Sequence, residues 1–469
     1  MTKPLRLVLD RSAKTPLAEQ IHKGIRAAIE NGVLAPGARL PSWQDLAAQL
    51  GVARGTVRSA YEKLASAQLI VAARATGTHV ADRPRFPVRR DKAPAPGSFM
   101  EMYQELIAGP AIFQMGVPSR ETFPATLLAR MHARAARVEM SAPAIYPDPR
   151  GEPDLRREIA AYLALARGIE CMPSQIIMTS GFAGGLGLAL RALGLEQKKK
   201  VWMEDPGFPF TRHGLALAVL SIVPIPVDAD GIDVDDGLRH APDAALAVVT
   251  PGQQAPLGST LSLARRARLL DWATQNKAWV IEDDYLSELQ LKGRATPALA
   301  SLDRSGRVVH IGSFSKTISP ALRLGFVVAP AALASRFAET AACLAPAPGR
   351  AVQLATADFI REGHYLRHLR RTKRAYAAQG EALLKYLRPR TVNVAMAGLA
   401  AVLRLPDRAP DLAIAREAAA LGLAPTPLSL WYASKASARP GLLLGIATSP
   451  LRRIAASTDR LLQIIDRLT

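Results

Sequence analysis

Six short apolar runs, at 176–179, 200–203, 247–249, 279–281, 308–311 and 325–328, are separated by longer helical patterns with Gly or Pro punctuation. Each run is too short for a helix and apolar enough for a strand buried on both faces. Strands that alternate with helices in this way predict a mainly parallel sheet with helices packed on both sides. Ligands are then expected at the strand ends. At 469 residues, about half of them apolar, the chain is too long for one ordinary core.

Chemistry-bearing residues collect at those ends. The run Ile176-Ile177-Met178-Thr179 leads into Ser180-Gly181-Phe182-Ala183, a strand entering a glycine-rich helix start whose free N–H groups suit a phosphate. The run at 279–281 ends in Glu282-Asp283-Asp284-Tyr285. The run at 308–311 ends in Ser313-Phe314-Ser315-Lys316-Thr317, followed by Arg323-Leu324-Gly325. A lysine flanked by hydroxyls and a nearby arginine suits a cofactor that needs an amine for a Schiff base and donors for a phosphate. That cofactor is pyridoxal 5'-phosphate. Lys316 would be the Schiff-base lysine, with Ser313 and Arg323 completing the phosphate cup. A carboxylate of Glu282-Asp283-Asp284 would keep a pyridine nitrogen protonated, the Tyr285 phenol would bond the ring hydroxyl, and Phe208, in Asp205-Pro206-Gly207-Phe208, would stack on the ring. Taken singly, Asp283 reads equally as a helix cap, Phe208 as core and Ser313 as a turn residue. Their order, with Lys316 downstream, is what points to one site.

The first 81 residues follow another pattern. Leu17, Ile21, Ile25 and Ile29 form the stripe of an amphipathic helix closed by Asn31-Gly32. Ser42 and Asp45 make a capping-box-like start for a second helix, ended by Gly51, and a third begins near Ala53 with Val57, Tyr61 and Leu64 facing inward. Residues 69–73 and 78–80 read as a hairpin around Arg74-Ala75-Thr76-Gly77. Three helices and a hairpin make a winged helix-turn-helix. The prolines and arginines of 82–112 read as a linker, and 113–469 as the large α/β body.

Charge agrees with a polyanionic partner. The formal net charge is +20, and residues 1–92 carry 16 Lys and Arg against 7 Asp and Glu, a net of +9. No apolar stretch is long enough for a membrane span, and charges interrupt the start too early for a signal peptide. The two cysteines, Cys171 and Cys343, exclude a disulfide framework and a cysteine-rich metal site and fit a reducing cytoplasm.

The amino-terminal stretch resembles the GntR family of bacterial repressors. The resemblance rests on Pro16-Leu17…Gln20-Ile21, Pro36-Gly37…Leu40-Pro41-Ser42, Leu46-Ala47…Leu50-Gly51-Val52, Arg54…Thr56-Val57…Ala60-Tyr61 and Gly77-Thr78. It implies that Arg54, Thr56 and Arg58 enter the major groove, with Arg39, Gly77 and His79 near phosphate or the minor groove. Gln44 and Ala53 depart from the family pattern, so an operator sequence does not carry over from relatives.

The whole chain resembles the MocR family, in which a GntR-type reader is fused to a fold-type-I aminotransferase domain. Supporting stretches are Tyr146-Pro147-Asp148-Pro149-Arg150-Gly151, Glu204-Asp205-Pro206-Gly207, Pro256-Leu257-Gly258, Ile281-Glu282-Asp283-Asp284-Tyr285, the Lys316 motif and Gly363-His364…His368-Leu369-Arg370-Arg371. The resemblance implies a cytoplasmic, nucleoid-associated transcription regulator, a head-to-tail homodimer on operator DNA. Its effector would be an amino acid or amine exchanging at Lys316, or pyridoxal phosphate itself. It also implies that Lys316 forms the internal aldimine, that Asp283 faces the pyridine nitrogen and Tyr285 the ring hydroxyl, and that Arg439 clamps the effector carboxylate. An active aminotransferase with an accessory reader is the alternative. Gly252-Gln253-Gln254-Ala255, Leu289-Gln290-Leu291, Ala400 and Ala183 depart from the family: cofactor anchors are kept while effector-facing polar groups are thinned.

Overall fold

The computed structural model describes residues 7–73, 77–82, 111–195, 198–291, 296–390, 393–434 and 436–469. The chain divides into two compact units, Met1–Glu105 and Leu106–Thr469. The linker arginines of 83–110 and the wing tip at 74–76 lie outside the described residues.

In the first unit, helix α1 (Leu17–Glu30) buries Ile21, Ile25 and Ile29, the four-residue stripe of the sequence. Helix α2 (Trp43–Leu50) is capped by Ser42, whose Oγ accepts from the Asp45 amide at 3.1 Å, and ends at Gly51 with φ +63°. The reciprocal half of a capping box is missing, because the Asp45 carboxylate accepts a hydrogen bond from the Ser42 hydroxyl, at 2.7 Å, instead of from the Ser42 backbone N–H. Helix α3 (Arg54–Ser66) starts without a side-chain cap at Ala53 and buries Val57, Ala60, Tyr61 and Leu64. Strands β1 (Ile70–Ala73) and β2 (Gly77–Val80) pair antiparallel, and an isolated bridge joins Arg39 to His79. This unit encloses its own apolar core.

The second unit is built on a main sheet of strand order β3-β10-β9-β8-β7-β4-β5-β6, comprising β3 (Ile176–Thr179), β4 (Lys200–Asp205), β5 (Ser221–Asp228), β6 (Gly231–Ile232), β7 (Leu246–Val249), β8 (Trp279–Asp284), β9 (Val308–Ser313) and β10 (Gly325–Val328). The six runs of the sequence are six of these strands. Neighbouring strand residues alternate between the two packed faces: Ile281 and Val309 join one core, Val280 and Val308 the other.

Three features were not legible in the sequence. Strand β10 runs antiparallel to both β9 and β3, because only residues 314–324 connect it to β9, too few for a helical crossover. Strand β5 holds Pro224 and Pro226, which argue against a central strand; it is tolerated because β6 pairs only with Val227 and Asp228, leaving the prolines on a largely unpaired edge. A second, antiparallel sheet, β11 (Val394–Ala397), β12 (Ala400–Arg404), β13 (Thr426–Pro427) and β14 (Gly441–Gly445), stands in the order β11-β12-β14-β13. It pins the segment entering the body: Phe113 bridges Gly445, and Thr448 Oγ1 donates to the Gln114 carbonyl at 3.0 Å. Among the described residues no helix is long and apolar enough to cross a membrane.

Candidate functional site

Sheet register assembles one end of the site. Gly325 stands level with Ser313 on one side and Thr179 on the other. The segments leaving these residues, Ser180-Gly181, Ser315-Lys316 and Leu322-Arg323, therefore emerge side by side. An Arg323 terminal nitrogen donates to the Ser180 carbonyl at 3.0 Å. Arg323 itself adopts φ +47°, uncommon for a residue other than glycine. Ser313 Oγ lies 3.0 Å from Ser315 Oγ and accepts the Ser315 N–H at 3.2 Å. A Cβ placed on Gly181 would stand 3.9 Å from both the Arg323 guanidinium and the Ser315 hydroxyl.

Gly181, at φ +75°, begins the helix Gly181–Ala192, and Ser180 caps it with no side-chain bond, so its first N–H groups are free of a cap. Guanidinium, hydroxyls and helix N-terminus together form an anion cup. Within it Ser180 and Ala183 are exposed and Phe182 is half-buried, packed against the core. Ser315, which sequence reasoning placed in the lysine motif without giving it a role, belongs to this cup.

Two strands further along, β8 delivers Asp283. It is buried, its Oδ1 has no hydrogen-bond partner, and burial together with Asp284 and Glu204 holds its carboxyl well above the usual range. The positive charge of Lys316 pulls that carboxyl the other way. The Lys316 amine is pushed down to about 8 by burial, against the pull of Asp283. The Lys316 Nζ donates to the Gly116 carbonyl at 2.7 Å, a contact not foreseen in the sequence. A side chain at Gly116, φ +74°, would come within 2.8 Å of that amine. On the far side of Lys316, the buried His368 ring bonds the Thr317 carbonyl at 2.7 Å.

Beyond Asp283, β7 and β4 supply Thr250, Glu204 and Phe208. Glu204 is buried and accepts from the Thr250 amide and hydroxyl at 3.0 and 2.6 Å; burial still raises its carboxyl to about 7. Phe208 packs against Trp431, ring centroids 5.6 Å apart. A cavity of about 10 Å³ lies among Phe208, Glu204, Thr250 and Asp283. Tyr285 is half-buried next to Asp283, and burial raises its phenol far above the ordinary value. Behind the site, Arg167 donates to Asp284 at 2.8 Å and His310 bonds Glu282 at 3.0 Å. This buried charge network spaces residues too far apart in sequence to have been found there.

The residues fit pyridoxal phosphate. The unpartnered Asp283 oxygen calls for a cationic N–H, and the cup calls for an anion. Lys316 lies close enough to feel the Asp283 charge.

Arg439 is not brought to this place. It is exposed, ahead of β14, whose residues Gly441 and Leu442 pair with Arg404 and Leu403. The opposite end of β14, Gly445, is the one that meets Gln114 beside Gly116. Arg439 precedes Gly445 by six residues, roughly 20 Å of extended chain. Leu443 of β14 is buried in a small apolar cluster on which Met115, Phe208 and Tyr285 pack, while its neighbours Leu442 and Leu444 join the main core.

In the reader, Arg54 and Arg58 are exposed at the front of α3 and Thr56 is half-buried. Arg58 is held by Glu62 at 2.9 Å. Gly77, at φ +88°, lets the Arg39 side chain pack against it, and His79 Nδ1 lies 3.2 Å from the Gly77 carbonyl. Arg39, Ser42, Trp43, Asp45, Gly77 and Thr78 line a surface groove of about 500 Å³.

Comparison with known proteins bears on both units. Residues 17–80 match bacterial regulatory proteins of the gntR family, and residues 113–412 match aminotransferase class I and II. A probable rhizopine catabolism regulatory protein, MocR, of Rhizobium meliloti is 35% identical over 94% of this chain and 92% of its own length. The HTH-type pyridoxine biosynthesis transcriptional regulator PdxR of Corynebacterium glutamicum is 32% identical over 96% of each chain. Among solved structures, an archaeal alanine:glyoxylate aminotransferase superposes with TM-score 0.72 at 23% identity, covering 79% of this chain and 95% of that one. LysN, an alpha-aminoadipate aminotransferase from Thermus thermophilus, gives 0.70 at 26%, covering 78% and 94%.

Proposed function

The chain belongs to the MocR-type transcription regulators, a GntR-type reader joined to an aminotransferase class I and II domain, and from that premise we propose that it senses its effector through pyridoxal phosphate held at Lys316. The observation that carries this reading is the buried, unpartnered Asp283 oxygen in the same site as the Lys316 amine and the Arg323 cup.

Each residue has a separate task. Ser313, Ser315, Arg323 and the amides after Ser180 bind the phosphate. A protonated ring nitrogen would favour the ionised form of Asp283 against the burial that raises it, so that Asp283 would hold the proton on that nitrogen; Tyr285 would meet the ring hydroxyl and Phe208 would cover one ring face. Lys316, its amine made partly neutral near pH 8 by burial, serves as nucleophile. When bound, the cofactor supplies an electrophilic carbon that an effector amine can occupy in place of Lys316. Pyridoxal phosphate itself is the other effector that this site supports. Either ligand shifts the reader only by its differential affinity for two arrangements of the protein.

The partners of this reading are operator DNA, met by Arg54, Thr56 and Arg58 with Arg39, Gly77 and His79, and a second copy of the chain in a head-to-tail dimer. Met140, near the end of the helix Ala125–Ser141, and Ile145 and Tyr146, in the irregular stretch that follows it, stand 78%, 79% and 99% exposed. An apolar surface of that kind supports coverage by a partner.

The test is spectroscopic. Purified protein is expected to be yellow, borohydride to bleach it, and Lys316→Ala to leave any bound cofactor without a covalent link. Protein that stays colourless with added pyridoxal phosphate would overturn the reading. Amino-group transfer at about 1 per second or faster would instead make the body a working enzyme.

A further inference from the structure

Next to Lys316 the site is walled by apolar side chains. Trp431, Val402 and Leu443 are buried in one small cluster, and Met115, Phe208 and Tyr285 pack on its border, each partly exposed. Met115 precedes Gly116, whose carbonyl takes the Lys316 amine. Phe208 and Tyr285 are the residues assigned to the ring. The cluster therefore borders the space in which a ligand amine meeting the cofactor would carry the rest of its structure.

Among the described residues, the charges around that space are unsuited to a carboxylate. Asp283 and Glu204 are themselves carboxylates. Among the described residues, the guanidinium of Arg212 is turned to the Trp431 and Leu430 carbonyls, at 2.9 and 2.8 Å, and Arg323 serves the phosphate cup. Arg439 is exposed ahead of β14, and Leu443 of that strand is buried in the apolar cluster. An ionised carboxylate buried there without a partner would lose its hydration for no ion pair. Neutral polar groups stand by the cluster, among them Gln253. Gln253 is 7% exposed and its carboxamide oxygen has no partner. It packs against Gly398, next to Ala397 of the cluster; a Cβ on Gly398 would fall 1.8 Å from its Nε2. A carboxamide accommodates a hydroxyl or amide of a ligand and offers no charge to a carboxylate.

We propose that the effector is a primary amine with an uncharged, largely apolar body and no carboxylate beside the amine. The inference rests on the reading of Lys316 as the cofactor lysine. It adds that Leu443, Trp431 and Met115 select the ligand body, with Gln253 as its polar contact.

The experiment uses full-length, yellow protein loaded with pyridoxal phosphate and two matched pairs of probes, isoamylamine with leucine and phenethylamine with phenylalanine. Each pair differs only in the α-carboxylate. Binding is read by calorimetry and by operator affinity in fluorescence anisotropy. Each amine is expected to bind at least tenfold tighter than its amino acid, and methylamine, which lacks the apolar body, more weakly than either amine. Leu443→Arg should shift the preference toward leucine. Because Leu443 is fully buried, the wild-type pairs decide the question whether or not that variant folds. Equal or tighter binding of the amino acids, or no binding of any probe up to roughly 10 mM, overturns the inference and leaves the cofactor reading standing. A colourless protein would mean that the cofactor reading itself had failed.

Discussion

At the scale of single residues, Lys316 is set by its surroundings more than by its identity. Burial brings its amine to about 8, where an ordinary lysine titrates near 10.5. The neutral, nucleophilic form is then half-populated near pH 8. Covalent capture of pyridoxal phosphate by cofactor-free protein is expected to speed up about tenfold per pH unit below 8 and to level off above it. Stopped-flow absorbance gives the profile, and a rise continuing to pH 10 would show an unperturbed amine. In the reader, Arg58 must leave Glu62 to meet a base. Glu62→Gln is expected to strengthen operator binding severalfold, since an exposed i,i+4 pair is worth only about 0.3–0.5 kcal/mol and a nearby negative charge is also removed. Arg54→Ala with Arg58→Ala should weaken the operator about tenfold or more, at roughly 1–3 kcal/mol per lost base pair contact. Anisotropy against operator and random DNA checks both, and a double variant that still discriminates places sequence reading in the wing.

At the scale of elements, adjacent strands share a charge pair. Glu282 of β8 and His310 of β9 are register partners as well as hydrogen-bonded. The His310 ring is held above its ordinary 6.5 and the Glu282 carboxyl below 4.5, each mainly by the other against the penalty of burial. The sign of the pH dependence follows. The contribution of His310 is complete below its unfolded value and is lost as pH rises through the folded one. That of Glu282 is present above its unfolded value and is lost as pH falls through the folded one. Replacing His310 with Ala leaves a buried carboxylate without its ring partner and should destabilise the body by about 3–5 kcal/mol near neutral pH. The difference from wild type is expected to shrink on the alkaline side. Thermal unfolding followed at several pH values measures it; a pH-independent difference would mean that the pair is not ionised. Because the reader has its own core, its unfolding should be unaffected.

At the scale of the whole molecule, the chain divides into two units with separate cores. Ile145→Glu, placed on the exposed apolar segment, is expected to weaken self-association, with light scattering showing a shift toward monomer at low micromolar concentration. An unchanged mass at every concentration would remove that segment from any interface. The formal charge of +20 also predicts steep loss of DNA affinity with salt, in the reader variants as in the wild type.

Much of this protein is local information. The stripe of Ile21, Ile25 and Ile29, the Ser42 cap, the six strand runs and the Lys316 motif are set by periodicity and neighbouring side chains, so they can be read along the chain. Other features exist only after distant segments meet. Gly116 reaches Lys316 from 200 residues away because β14 pins its segment. Strand β5 forms in spite of its prolines because one edge is left nearly unpaired. Arg439, the carboxylate clamp that the family resemblance implies, is exposed ahead of β14, while side-chain alternation puts Leu443 in the small cluster on which Met115, Phe208 and Tyr285 pack. Type and spacing state what a residue can do; which end of a strand reaches the pocket, and which face looks into it, is decided by register and packing between segments remote in sequence.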